Sequence, residues 1–264
     1  MNVTHRCSAV LLLLPLLMSA SLQAANKLEF TGTDPLGKPA PAPTIYLEGN
    51  KARFEQAQSM VMLFDATTPD TITLLNSQQK QYLVMSPAIM EQQQKAIQAR
   101  LDQEKAKLTA EQRQQLEQAM QRQPGQVGEL RQQKPTVFQL AGSQKQVNGI
   151  PCQAATATRD GKVVRELCIA TGTDLKLPPQ EYATLQALLK LFQTLSNATR
   201  SPGASDLSPL ATGDIPGIPV EAKHLGSQNR TATMSLTSST QAPVDAQWFI
   251  LPSDYAPAKI PEAY

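Results

Sequence analysis

Residues 152–168 read CQAATATRDGKVVRELC, and the fold turns on how this stretch pairs with itself. Thr158 to Lys162 is a turn signal between two runs that favour strand. A three-residue loop, Arg159 to Gly161, closed by a left-handed glycine, sets Thr158 opposite Lys162. Six residues further out it sets Cys152 opposite Cys168. A two-residue loop at Asp160-Gly161 instead shifts the register by one and turns the sulfurs to opposite faces. Opposed residues of an antiparallel pair lie about 4.5–5.5 Å apart at Cα, a span a disulfide can bridge. The three-residue reading predicts a cross-strand disulfide, Cys152–Cys168, with two buried reduced thiols as the alternative. The spacing is not Cys-x-x-Cys, so a redox-active pair is not expected.

A disulfide implies an oxidising compartment, and the N-terminus agrees. Residues 1–24 read as a signal peptide: Arg6 supplies positive charge, Val10 to Met18 an apolar core, and Ser19 to Ala24 a small-residue exit. Cleavage is expected at Ala24 or Ala25. The core is far shorter than the roughly 20 residues that span a bilayer, an uncleaved anchor being the alternative. Cys7 precedes that core and no cysteine stands near the exit, so a lipoprotein is not expected. The predicted location is the periplasm, with no transmembrane segment in the mature chain.

Upstream of the cysteine hairpin, residues 27–86 alternate apolar and polar side chains through about six short antiparallel strands. Ala40 to Pro43 reads as a loop, and Met60 to Phe64 as a strand buried on both faces. Composition changes at Pro87. Fourteen of the chain's thirty glutamines lie between residues 91 and 133, and residues 88–123 contain no glycine or proline. This predicts a Gln-rich helical insertion over 87–135, with a thin apolar stripe of Ile97, Leu101, Leu108, Leu116 and Met120. Thr109 with Gln112 has capping-box spacing, so the helix is expected to break near Leu108 into a hairpin or bent rod. Downstream, Pro178-Pro179 opens a second helix with Glu181 in its first turn and Tyr182, Leu185, Leu188, Leu189, Phe192 and Leu195 along one face. A hairpin across Gly226 to Asn229 and a terminal strand, Trp248 to Leu251, complete the reading.

The 264 residues carry 24 basic and 22 acidic side chains, a net charge of +2, which provides no basic field for nucleic acid. At 41% hydrophobic the chain is not disordered as a whole. The mature chain keeps one histidine, His224, which alternates with Val220 and Ala222 as a sheet residue would. Ser–His nucleophilic chemistry, paired carboxylates, a Gly-rich phosphate loop and EF-hand spacing all lack their residues. Neither an enzyme nor a metal or cofactor is expected.

The order of features resembles a known pattern. Tyr46-Leu47-Glu48-Gly49-Asn50-Lys51-Ala52-Arg53-Phe54 is followed by Glu111-Gln112-Arg113, Asn148-Gly149-Ile150-Pro151-Cys152 and Asp160-Gly161-Lys162. Gly217-Ile218-Pro219-Val220 and Phe249-Ile250-Leu251-Pro252-Ser253-Asp254-Tyr255 come last. Together they resemble a bacterial periplasmic family, domain-of-unknown-function family 4412. That family is similar in fold to the lipoprotein carriers LolA and LolB. The resemblance implies an α+β fold for residues 25–264 as a single LolA-like domain. In it a curved antiparallel sheet, an incomplete barrel, would have helices packed on one side. Such a sheet can hold an acyl chain in its concave face. The expected function is non-enzymatic binding of an apolar or lipid ligand, or of an envelope protein. The candidate pocket or lid residues are Phe30, Phe54, Met62 and the five of the helical stripe. The alternative is a periplasmic chaperone or envelope-stress protein acting through the Gln-rich helices, since Leu108-Thr109-x-x-Gln112 also looks like the short repeat of Spy-type chaperones.

Overall fold

The structure is a computed structural model that describes residues 23–56, 60–109, 111–112, 136–199, 210, 212, 215–226 and 230–258. Residues 1–22 of the segment 1–24 read as a signal peptide therefore lie outside the described residues, whereas Gln23 and Ala24 begin β1; residues 113–135 of the helical insertion, Leu116 and Met120 among them, also lie outside. The strands are β1 (Gln23–Thr33), β2 (Pro39–Ala40), β3 (Pro43–Glu48), β4 (Lys51–Gln56), β5 (Met60–Asp65), β6 (Ile72–Asn76) and β7 (Gln81–Met85). After α1 (Pro87–Lys107) come β8 (Val137–Val147), β9 (Ile150–Arg159) and β10 (Lys162–Ala170). The chain continues through α2 (Pro179–Thr199), β11 (Ile218–Leu225), β12 (Thr231–Val244) and β13 (Ala256–Pro257). They form one curved, unclosed sheet, ordered β13-β7-β6-β5-β4-β3-β1-β12-β11-β10-β9-β8 with β2 beside β1. This is the α+β architecture that the resemblance implied. Two sequential meanders, β3 to β7 and β8 to β12, meet at β1.

The inner face is apolar because alternate residues of both meanders point to it. Leu28, Ile45, Leu47, Phe54, Leu167, Ile218, Val220 and Leu236 are all buried in one cluster. Helix α2 fills that face with Leu185, Leu188, Leu189, Phe192 and Leu195, as its periodicity predicted, while Leu191 joins them unpredicted and Tyr182 is only partly buried. Each such side chain contributes roughly 1.5–3 kcal/mol by leaving water. Phe192 meets Phe54 edge to face, with ring centroids 5.5 Å apart. The N-terminus of α2 is fastened by Glu181, which accepts a hydrogen bond from Asn26 Nδ2 (2.6 Å) and one from the Gly49 amide (3.4 Å). Thr184 Oγ1 donates to Gly49 O (2.8 Å), so both backbone groups of Gly49 in the β3–β4 turn are held by α2.

The cysteine hairpin reaches its expected end by a different route. Cys152 and Cys168 are bonded, with Cα atoms 5.4 Å apart. The loop has two residues rather than three: Asp160 (φ 53°) and Gly161 (φ 72°) form the primed turn, and Arg159 pairs with Lys162. Alone, that register would send the sulfurs to opposite faces. A bulge at Val164, between the pairs Val163–Thr158 and Arg165–Ala157, adds one residue and restores the parity. Cys168 then faces Ala154, so the disulfide is diagonal, two residues off the directly opposed register expected.

The helical insertion breaks where expected. Ser86 caps α1 by accepting from the Ile89 amide, and α1 ends before Leu108. The Thr109 amide then donates to Gln112 Oε1 (2.9 Å), and the Gln112 amide to Thr109 Oγ1 (3.3 Å), both halves of the capping box. The terminal strand is a correction. Residues 246–249 form a 3₁₀ turn capped by Asp245, whose side chain accepts from the Gln247 amide (2.9 Å). That cap wins over the short apolar run because it turns Phe249 and Trp248 onto the outer face beside Tyr46, Ala25 and Val244. The stretch expected as a loop at Ala40 also contributes the short β2, paired with Gly32 and Thr33.

One turn carries a pH-dependent contribution. Asp65 Oδ1 accepts from Thr67 Oγ1 (2.7 Å), the Thr67 amide (2.8 Å) and Asn50 Nδ2 (3.0 Å). The Thr67 hydroxyl first, then its amide, hold the carboxyl below its usual range. A depressed carboxyl stabilises the fold above the unfolded value near ~4, and this is lost as pH falls through the lower folded value. Asp65→Asn is expected to cost about 1 kcal/mol at pH 7 and almost nothing once the wild-type carboxyl is protonated. Urea midpoints of both proteins between pH 7 and pH 2.5 check this; a pH-independent gap would refute it.

Candidate functional site

Of the candidate pocket residues, Phe30, Phe54 and Met62 come together, but inside the packed core beneath α2. Ile97 does not join them: its side chain is 47% exposed on α1, whose residues are mostly solvated. Polar neighbours crowd that helix on every side, so the thin stripe has no apolar face wide enough to dock. Leu108 is half-buried, Leu101 lies in α1, and Met90 of α1 packs against the core.

An open groove lies elsewhere. A groove of about 670 Å³ runs between the β8–β9 hairpin, with Gln144, Lys145, Gln146 and Gln153 among its lining, and the turn after β10, with Thr171 and Asp174. It exists because β9 and β10 part there. Their last pair is Gln153–Ile169, and β9 residues 150–152 continue against β8 alone. The cause is local. Pro151 has no N–H to give, while the Thr171 amide bonds to Asp174 Oδ2 (3.0 Å) and Thr171 O accepts from the Leu175 amide (3.1 Å). Thr171 Oγ1 also donates to Asp174 Oδ2 (2.6 Å), and the Asp174 amide to Thr171 Oγ1 (3.3 Å). The signal was legible as Thr171-x-x-Asp174, a capping-box spacing standing at a turn.

The sheet's two edges differ. At one, β13 lies parallel to β7, with Ala256 N–H donating to Lys80 O (2.9 Å) and Lys80 Nζ paired with Asp254 Oδ2 (2.8 Å). At the other, β8 is eleven residues long, and among the described residues no strand pairs its outer side. Val137 and Leu140 expose about half of their surface. Between the pairs Leu140–Ala155 and Gln144–Gln153, residues 141–143 bulge, with Gly142 at φ 73°.

The outer face has a cationic and aromatic cluster. Arg53 Nη1 donates to Trp248 O (2.9 Å), its guanidinium lies 5.3 Å from the Trp248 ring centroid, and its Nε pairs with Glu55 (2.6 Å). Tyr46 stacks at 4.9 Å on Trp248, with Lys27 Nζ 5.9 Å from the Tyr46 ring. Burial, then the Glu55 carboxylate, pushes the Tyr46 hydroxyl up, so it stays protonated. These contacts clasp the C-terminal segment to the sheet. His224 is exposed on β11, and the described residues hold no group of three or more His, Cys, Asp or Glu side chains placed to bind a metal ion.

No family model matches the sequence, and none of the curated proteins is detectably similar to it. The resemblance to family 4412 therefore rests on the short segments quoted above. Among solved structures, the chain is similar to an uncharacterised conserved protein of Thermus thermophilus, at 7% identity and TM-score 0.42, covering 89% of each chain. It is also similar to PNGF-II (8% identity, TM-score 0.41), over 90% of this chain and 31% of that one. A third likeness is to the MucA/MucB complex of Pseudomonas aeruginosa (8%, TM-score 0.37), over 88% of this chain and 57% of that one. These are distant likenesses, and nothing about this chain's activity follows from them.

Proposed function

We propose that this is a non-enzymatic binding protein, exported to the periplasm, that takes an extended segment of an envelope protein along β8. The observation that carries the reading is the outer edge of β8, eleven residues long, exposed along most of its length and paired by no strand among the described residues. Such an edge offers a row of backbone donors and acceptors to an added strand. Val137 and Leu140 would give that strand apolar contact. Export rests on the reading of residues 1–24. An acyl chain in the inner face is disfavoured because α2 already occupies it with six buried side chains. The test places a photo-crosslinking amino acid at Gln139 or Gln146 of β8, and at Gln92 of α1, in cells of the host. Protein adducts are expected from the β8 positions. Adducts from Gln92 alone would move binding to the helices, and stoichiometric lipid extracted from the purified protein would restore the lipid reading.

A further inference from the structure

We infer that the tip of the β8–β9 hairpin, residues 145–152, is a flap that opens and closes the groove while the rest of the sheet stays folded. Four observations meet there. The β9–β10 ladder stops at Gln153–Ile169, so beyond it the tip is paired only within its own hairpin. The neighbouring backbone that could have held it is committed elsewhere, since Pro151 lacks a donor and Thr171 uses both its backbone groups within the turn 171–175. The base of the tip is pinned by Cys152–Cys168, at the point where the ladder ends. Its far end is tethered by Asn148 Nδ2, which donates to Leu236 O on β12 (2.7 Å), reaching past β10 and β11 in the sheet order.

The closed state is thus a hinge at the disulfide, a latch at Asn148, and the half-buried Val147 and Ile150 resting on the core. A segment with so few contacts opens at lower free energy than the strands it leaves. The turn itself is preformed: Asn148 (φ 50°) and Gly149 (φ 81°) make a primed two-residue loop, so the tip can swing as a unit without losing its own pairing. Opening would widen the groove beside Thr171 and Asp174 and uncover the end of the core that Val147 and Ile150 shield. This holds whatever the groove accepts.

Residue-resolved amide exchange, run with no partner present, tests it separately from the β8 reading. The amides of Val147 and Ile150, which face each other across the turn, are expected to exchange at least about tenfold faster than those of Ala155 and Leu167. Asn148→Gly keeps the positive φ while removing the latch, and should speed the tip amides about fivefold further and leave Ala155 and Leu167 unchanged. Equal exchange at tip and ladder in the wild type would overturn the flap. So would a variant that accelerates both sets alike, or neither.

Discussion

Leu185→Ala is expected to lower the stability of the protein by roughly 3–4 kcal/mol, the cost of lost burial plus the cavity left behind. Leu185 is fully buried on α2, within the one core cluster to which both meanders contribute. The surrounding residues cannot relax into the gap, because β strands fix one wall and the helix is fastened at its start through Glu181, Thr184 and the β3–β4 turn. Ile97→Ala, on the exposed α1, should change stability by less than about 0.5 kcal/mol. Urea denaturation of both variants checks the contrast. Similar losses would mean that α1 and α2 contribute alike to the core, contrary to their burial.

The second large effect is loss of the disulfide. Cys152 and Cys168 are 16 residues apart, and a loop of this size is expected to contribute about 3 kcal/mol by restricting the unfolded chain. Replacing both by alanine avoids leaving buried hydroxyls or a free thiol. The double variant should shift the urea midpoint downward and steepen the denaturant slope, since its unfolded state is less compact. An unchanged midpoint would show that the two strands hold their geometry without the bond.

Much of this architecture is readable along the chain because burial on one face leaves a periodic trace. The six apolar side chains of α2 recur at helical spacing, and the meander from β3 to β7 alternates with turns such as Gly49-Asn50. The capping box at Thr109 and Gln112 is local chemistry, hence visible locally. What escapes the sequence are features set by cancelling or distant effects. The turn at Asp160-Gly161 and the bulge at Val164 each shift the register, and only their combination places the sulfurs on one face. Trp248 and Phe249 have strand-like composition, but Asp245 and the partners Tyr46 and Arg53, far away in the chain, decide otherwise. The groove depends on the parting of β9 and β10, of which Thr171-x-x-Asp174 announces only the turn on one side. Among the candidate site residues, periodicity identified which were apolar but could not say which would be filled from above by α2.

The place of β1 in the sheet order has a consequence for how the chain assembles. The first meander is built from neighbours in sequence and can form from short-range contacts, whereas in the second β10 and β11 meet across α2, with Arg165 opposite His224. The seam between them is β1 with β12, where Thr237 Oγ1 bonds to Glu29 O across 208 residues. Closing so long a loop is slow compared with forming a hairpin. During synthesis from the N-terminus, β1 is made first yet gains its second neighbour almost last. Until then it presents a long unpaired border, the kind of edge that pairs with other chains, so the arrival of β12 also removes a site of aggregation.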